Sequence, residues 1–213
     1  MKTGFLLALE GIDGSGKSTA AAGIASALRA EGEDVAATRE PTDGPWGRRI
    51  RAMAASAEVV APEEELRWFV ADRREHVAAV LRPALEAGRV VVTDRYFLST
   101  VAYQGARGLD WRAILADAER EFPIPNLALR FELEPVVGLS RTRSRGGATE
   151  PAFEEQAFLE RVAAVYRAIE RPWLLALDAS VGEAALLSEA LDRVRPALHR
   201  ARGRDPRARS RER

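Results

Sequence analysis

Eight residues near the start of the chain, Gly11-Ile12-Asp13-Gly14-Ser15-Gly16-Lys17-Ser18, constrain its folding more than any other stretch. They fit the spacing G-x-x-x-x-G-K-[ST], and Thr19 follows them. A short apolar run, Phe5-Leu6-Leu7-Ala8-Leu9, comes before, and an Ala-rich segment from Ala20 through Leu28 comes after. Strand, glycine loop and helix in that order are the context such a phosphate loop requires. Glycines let the backbone curl inward until successive N–H groups face one anion. The N-terminus of the following helix adds partial positive charge. Lys17 is placed to reach the outer phosphates of a nucleoside triphosphate, and the Ser18 hydroxyl to bind Mg²⁺. Chance matches to this pattern occur in surface loops, but the flanking strand and helix argue against one here. The chain also holds only two lysines, Lys2 and Lys17, against thirty arginines. A compact ammonium suits a narrow phosphate nest better than a broad guanidinium fork.

The 213 residues suffice for one sizeable α/β domain. Basic and acidic residues balance at 32 each, so charge gives no reason to expect specific nucleic-acid binding. There is no cysteine, which excludes disulfides, thiol catalysis and cysteine-bound zinc. Phe5–Leu9 is too short for a secretory signal, and no apolar run approaches the length of a membrane span. A cytoplasmic protein is the expectation. The two histidines are His76, inside a helical pattern, and His199, near the arginine-rich end. Both read as packed or solvated, so chemistry centred on a histidine base is not expected.

Strand and helix signals alternate along the chain, which predicts βαβ units and a mainly parallel sheet. The first helix is expected from Lys17 to Glu31, with Gly32 as its stop. Val35–Thr38 reads as a second strand, and Arg39 to Pro45 as a loop dense in breakers. Arg48–Ala55 reads as a short helix. A longer helix starts at Pro62-Glu63-Glu64-Glu65, with an apolar stripe of Leu66, Phe69, Val70, Val77, Val80, Leu81 and Leu85 before Gly88. Val90-Val91-Val92-Thr93-Asp94 has the unbroken apolar pattern of a central parallel strand, and Asp94 falls at its ligand-binding C-terminal end. Helices over Phe97–Gln104 and Trp111–Phe122, a strand over Leu127–Leu133 and a helix from Pro135 follow. Arg141 to Thr149 reads as a mobile, arginine-bearing segment. Phe153–Ile169 is helical, Leu174–Asp178 a last strand and Val181–Leu198 a last helix. From Arg200 the chain is too polar to bury a core and is expected to be a disordered tail.

The loop alone names a nucleoside triphosphate and Mg²⁺. A guanine clamp of the Asn-Lys-x-Asp kind is missing, since the only asparagine, Asn126, lies between Pro125 and Leu127. A mechanical ATPase stays open, although the chain is short and its polar clusters fall at strand ends, where a second small ligand binds. From about Phe5 to Asp178 the sequence resembles the thymidylate kinase family. The resemblance rests on Glu10-Gly-Ile-Asp-Gly-Ser-Gly-Lys-Ser-Thr19, Thr38-Arg-Glu-Pro41, Phe69-Val-Ala-Asp-Arg73, Asp94-Arg-Tyr96 with Ser99-Thr100, and Ala102-Tyr-Gln-Gly105. It implies a three-layer αβα P-loop nucleoside-monophosphate-kinase fold with a mainly parallel sheet and a mobile lid. Residues 1–199 form the kinase domain, with the lid at about 141–153 and residues 200–213 the tail.

The resemblance also implies transfer of the γ-phosphate of ATP to dTMP, giving dTDP and ADP, with Mg²⁺ as cofactor and a homodimer as the assembly. An acceptor phosphate is already a nucleophile, so the reaction needs positioning and charge neutralisation rather than a base. The resemblance assigns ATP to Gly11 through Thr19, with Lys17, Asp94 and Arg95 catalytic, and the metal to Ser18 and Asp94. Arg39 and Arg95, at two strand ends, can fork onto the acceptor phosphate. Phe69 and Arg73, four apart, share a helix face, and the resemblance implies that Phe69 stacks on thymine and Arg73 bonds its edge. By the same resemblance, Thr100 and Gln104 are expected as polar base contacts, Tyr103 as the residue that crowds a ribose 2′-hydroxyl, and Asp13 as the acid facing the acceptor sugar and phosphate. Some family members carry an arginine in the loop where this chain has Gly14. The mobile segment must then supply that charge, and Arg145 is nominated ahead of Arg141 and Arg143. After Arg-Glu-Pro this chain has Thr42-Asp43-Gly44-Pro45, where the family commonly has Gly or Thr, and Phe153-Glu154 resembles an aromatic–acid pair of some members. The competing readings are a kinase for another pyrimidine nucleotide or nucleoside, and a P-loop binding module without catalysis.

Overall fold

The computed structural model describes residues 3–56, 59–144 and 152–203. Its five strands are β1 (Phe5–Gly11), β2 (Val35–Arg39), β3 (Val90–Asp94), β4 (Leu127–Glu132) and β5 (Leu174–Asp178). They form one sheet in the order β2-β3-β1-β4-β5, and every neighbouring pair is parallel. The helices are α1 (Lys17–Ala30), α2 (Pro45–Ala54), α3 (Pro62–His76), α4 (Arg82–Glu86), α5 (Phe97–Ala106), α6 (Trp111–Glu121), α7 (Pro135–Arg143), α8 (Ala152–Ala168) and α9 (Glu183–Ala201). They flank the sheet in the three-layer α/β arrangement that the alternating pattern predicts. No helix among the described residues is long and apolar enough to cross a membrane.

β1 takes the middle of the sheet, and all seven of its residues are buried. β3 is buried from Val90 through Thr93. Both are unbroken apolar runs because helices cover both of their faces. The register pairs Leu9 and Arg39 with Asp94, so the C-terminal ends of β1, β2 and β3 emerge side by side. Asn126 ties β4 to this centre. Its Oδ1 accepts from the Leu6 N–H at 2.8 Å, and its own N–H donates to the Leu6 carbonyl at 2.9 Å.

Several element boundaries differ from the sequence pattern. α2 begins at Pro45, ahead of Arg48, because a proline at the first helical position gives up no hydrogen bond. The long helix after Pro62 divides into α3, a π-helical turn over Val77–Leu81, and α4. Pro83 has no N–H to offer the preceding turn, so the regular ladder cannot run through it. The expected apolar stripe is buried only in part: Val77 and Leu81 are buried, and Leu66, Phe69, Val70 and Leu85 are half-buried. The buried residues of α3 are Glu65, Trp68, Asp72, Arg73 and His76, while Val80 is 38% exposed. α9 runs to Ala201, so Arg200 is helical rather than the start of a tail, and residues 204–213 lie outside the described ones. A small second core of Ile50, Val60 and Trp68, joined by Trp46, Met53 and Phe69, fastens α2 to α3 beside the site.

Candidate active site

The loop between β1 and α1 turns at Gly14 and Gly16, both at positive φ (79° and 89°). Gly14 is also held by a neighbour. A Cβ there would strike the backbone of Gly138 in α7, and a Cβ on Gly138 would lie 2.5 Å from the Asp13 carbonyl. Loop and helix thus meet backbone to backbone, which leaves no room for a side chain at position 14. Lys17 is enclosed by the loop. Its Nζ donates to the Ile12 carbonyl at 2.7 Å and reaches Ser15 Oγ at 3.4 Å. Burial pushes its ammonium down to about 7, and the nearby Arg95 charge pushes the same way.

Ser18 Oγ donates to Asp94 Oδ2 at 2.5 Å, and Asp94 Oδ1 is buried with no hydrogen-bond partner among the described residues. A hydroxyl and an orphaned carboxylate oxygen are hard oxygen donors, which fits Mg²⁺. The next residue, Arg95, is the one non-glycine residue described at positive φ (70°). That backbone aims its guanidinium back over the loop. Nη1 donates to Ser99 Oγ at 2.9 Å and to the Gly11 carbonyl at 3.2 Å, and Nη2 to Asp13 Oδ1 at 2.5 Å. Tyr103 donates to Asp13 Oδ2 at 3.0 Å. Desolvation opposes ionisation of Asp13, but the Arg95 and Lys17 charges outweigh it and hold the carboxyl down at about 2.

Behind Arg95 stands Glu10, a fully buried carboxylate at the end of β1. It accepts from the N–H groups of Tyr96 and Leu98 at 3.0 and 3.1 Å, from Ser99 Oγ at 2.6 Å and from Tyr166 OH at 3.2 Å. These bonds fix the turn from β3 into α5, where the unusual Arg95 backbone needs support. Burial raises the Glu10 carboxyl to about 7.

Beyond Arg95 lies a cavity of about 280 Å³, walled by α2, α3 and α5. Phe69, Arg73, Arg95, Thr100, Tyr103 and Asp13 all line it, so six of the expected acceptor contacts come together. Gln104 does not line it. Its side-chain amide is fully buried, one turn beyond Thr100, with neither polar atom bonded among the described residues. Arg39 does not line it either. That side chain is 63% exposed and pairs with Asp43 at 3.1 Å, facing the next groove. Side chains alternate along an extended chain, and here the inward position belongs to Glu40. Arg51 lines the cavity instead, bonded to the Pro41 and Thr42 carbonyls at 3.0 and 2.6 Å. The sequence assigned no role to Glu40, Arg51, Ser99 or Tyr166; Glu40, Ser99 and Tyr166 find partners far away along the chain.

On the other side of the loop, a groove of about 610 Å³ runs between α1, α7 and the start of α9. Arg141 leans over it, with Nη1 donating to the Gly14 and Ala179 carbonyls at 3.4 and 3.2 Å. Arg143 ends α7. Arg145 and most of the expected lid lie outside the described residues.

Comparison with known proteins agrees with this geometry. A family model described as thymidylate kinase matches residues 9–189. A thymidylate kinase of Xanthomonas campestris pv. campestris is 45% identical over 187 residues, covering 88% of this chain and 81% of that protein. One from Desulfotalea psychrophila is 42% identical over 176 residues, covering 83% of this chain and 87% of its own length. A glycine loop, an Asp94-Arg95 turn and an acceptor-sized cavity on one sheet edge, together with a family match across most of the sequence, place this chain in the thymidylate kinase family.

Proposed function

We propose that the protein transfers the γ-phosphate of ATP to dTMP, giving dTDP and ADP. One observation carries the reading: Asp13 and Arg95 line both the acceptor cavity and a cleft of about 160 Å³ at Lys17 and Ser18. Two residues therefore serve the meeting point of donor and acceptor. Arg95 neutralises the acceptor phosphate and Lys17 the outer donor phosphates, as phosphoryl transfer between two anions requires. Ser18 and Asp94 would hold Mg²⁺, which would supply charge neutralisation at the donor phosphates. The acceptor oxygen is its own nucleophile, and Asp13 orients Arg95 and the sugar rather than removing a proton.

Base choice follows from donor chemistry. A guanidinium only donates, so Arg73 selects a ring carbonyl over the amino group that cytosine presents. Phe69 supplies the stacking face. The orphaned Gln104 amide gains its partner from the bound base or an ordered water. Tyr103 closes the sugar side. Arg141, Arg143 and Arg145 are the candidates for the remaining transition-state charge, with Arg145 still first. Residues 1–199 act as one kinase domain with a lid at about 141–153, and the family likeness supports a cytoplasmic homodimer. The test is ADP release with ATP, Mg²⁺ and, in turn, dTMP, dUMP, dCMP, UMP and thymidine. Turnover is expected to be fastest with dTMP; a faster acceptor of another kind replaces this reading, and no acceptor-dependent release refutes it. Lys17→Ala should cut kcat at least ~100-fold, the scale of losing one charge-stabilising donor. Arg73→Ala should chiefly raise the dTMP KM, by ~10-fold or more.

A further inference from the structure

Arg73 meets the acceptor base if the protein is a dTMP kinase, and the role inferred for His76 rests on that reading. The Arg73 guanidinium is set from behind. Nε and Nη2 donate to one oxygen of Glu40 at 2.9 and 2.6 Å, and Nη2 also donates to Thr100 Oγ1 at 2.8 Å. The other Glu40 oxygen faces His76 Nδ1 at 2.9 Å, and His76 Nε2 lies 2.7 Å from Thr38 Oγ1. Arg73, Glu40 and His76 are 2%, 6% and 3% exposed. An ionised carboxylate only accepts, so His76 carries a proton on Nδ1 and donates it to Glu40. The Thr38 hydroxyl meets Nε2 from the opposite side. Both ring nitrogens are engaged, and the ring cannot turn without losing both partners.

His76 does not line the acceptor cavity. It reaches the ligand only through Glu40. We infer that His76 is a positioning residue for base recognition: braced by Thr38, it holds one oxygen of Glu40 so that the other alone engages Arg73. Without the His76 donor, a buried carboxylate oxygen is left unpaired. The carboxylate then relieves itself by turning to the Arg73 fork, and a two-oxygen pair is the favoured geometry. That rotation draws Nη2 away from Thr100 and the guanidinium face away from the cavity. Thr38 lies near the end of β2 and His76 ends α3, so the brace also ties α3 to the strand that leads into Glu40.

Two substitutions separate positioning from packing. His76→Asn keeps a donor at the δ position, facing Glu40. His76→Gln moves the donor to the ε position, facing Thr38. The readout is the dTMP dissociation constant by titration calorimetry, with ATP affinity as the control. His76→Gln is expected to weaken dTMP binding ~10-fold and His76→Asn by no more than ~3-fold, with ATP affinity unchanged in both. Wild-type dTMP affinity in His76→Gln overturns the inference, and so does equal weakening in the two variants, which marks simple loss of packing. If thermal melting shows that His76→Gln does not fold, Thr38→Val replaces it: the ring stays and its brace goes. Weakening of ~3-fold is then expected, and unchanged affinity overturns the proposal. A wild-type protein that does not bind dTMP refutes the acceptor reading itself, and with it this inference, before any variant is made.

Discussion

Lys17 sits in its loop as a buried ammonium with one carbonyl and one hydroxyl for company, and its pKa falls to about 7. A bound triphosphate brings several negative charges to it and restores the ordinary, higher value. At pH 8 the free protein holds this side chain largely neutral. ATP binding should then take up close to one proton. Calorimetry in buffers of different ionisation enthalpy checks this: the binding heat should vary with buffer at pH 8 and much less at pH 6, where Lys17 is already charged. Buffer-independent heats at pH 8 mean the loop lysine is not depressed. The residue scale also shows where legibility in the sequence stops. Glycines, Lys17, Ser18, Asp94 and Arg95 are legible because each is fixed by its place in a strand–loop unit. Glu40, Asp72 and His76 are not, because their partners are about thirty residues or more away. Asp72 accepts from the Thr42 N–H and hydroxyl at 2.9 and 2.6 Å, a pairing no local pattern announces.

At the scale of elements, α3 carries the main surprise. Its buried face is largely polar, with Glu65 and Arg73 lining the cavity and Asp72 and His76 bonded to Thr42, Glu40 and Thr38 behind it, whereas periodicity identifies a buried face only by apolar residues. The stripe from Leu66 to Leu85 therefore catches the buried Val77 and Leu81 but misses the polar residues buried on α3, while the helix itself and its start at Pro62 are plain in the sequence. Phe69 and Arg73 still come together, since residues four apart share a face. The Arg-Glu-Pro stretch misleads in a related way. Its arginine has the chemistry of the ligand contact, yet β2 turns that residue out toward Asp43. α7 makes a different demand. Its Gly138 touches the backbone of the phosphate loop, and a methyl group there has nowhere to go. Gly138→Ala should destabilise the fold by about 1–3 kcal/mol, the usual cost of overpacking. It should also lower kcat/KM for both substrates, because the loop it displaces serves both. A chemical denaturation curve with steady-state kinetics checks the pair of effects; normal kinetics would show that the contact is only structural.

Across the whole molecule, two buried groups give stability an unusual dependence on pH. The Glu10 carboxyl is raised to about 7, so its contribution is complete below pH 4.5 and is lost as pH climbs through 7. The Lys17 ammonium is lowered to about 7, so its contribution is complete above pH 10.5 and is lost as pH falls through 7. Both are therefore withdrawn near neutrality in the ligand-free protein. Wild-type stability should rise from pH 7 to pH 9 relative to Lys17→Met, with a limiting slope of about 1.4 kcal/mol per pH unit. Parallel unfolding curves at these pH values would refute this. The fold at this scale is legible nearly throughout, because a parallel sheet writes itself as short apolar strands between amphipathic helices.

The scarcity of lysine has a practical consequence as well. Amine-directed reagents find only Lys2, Lys17 and the chain terminus in this sequence. Of the two side chains, Lys17 is the one held near pKa 7, where a large fraction is the free, nucleophilic amine at neutral pH. A small amine-reactive acylating agent able to enter the cleft at Lys17 should therefore stop phosphoryl transfer by marking this loop residue, alongside any reaction at Lys2 and the terminus. ATP should shield that residue in proportion to its occupancy, and peptide mass mapping would find the mark on Lys17. The phosphate loop thus doubles as a chemical handle for measuring how full the donor site is.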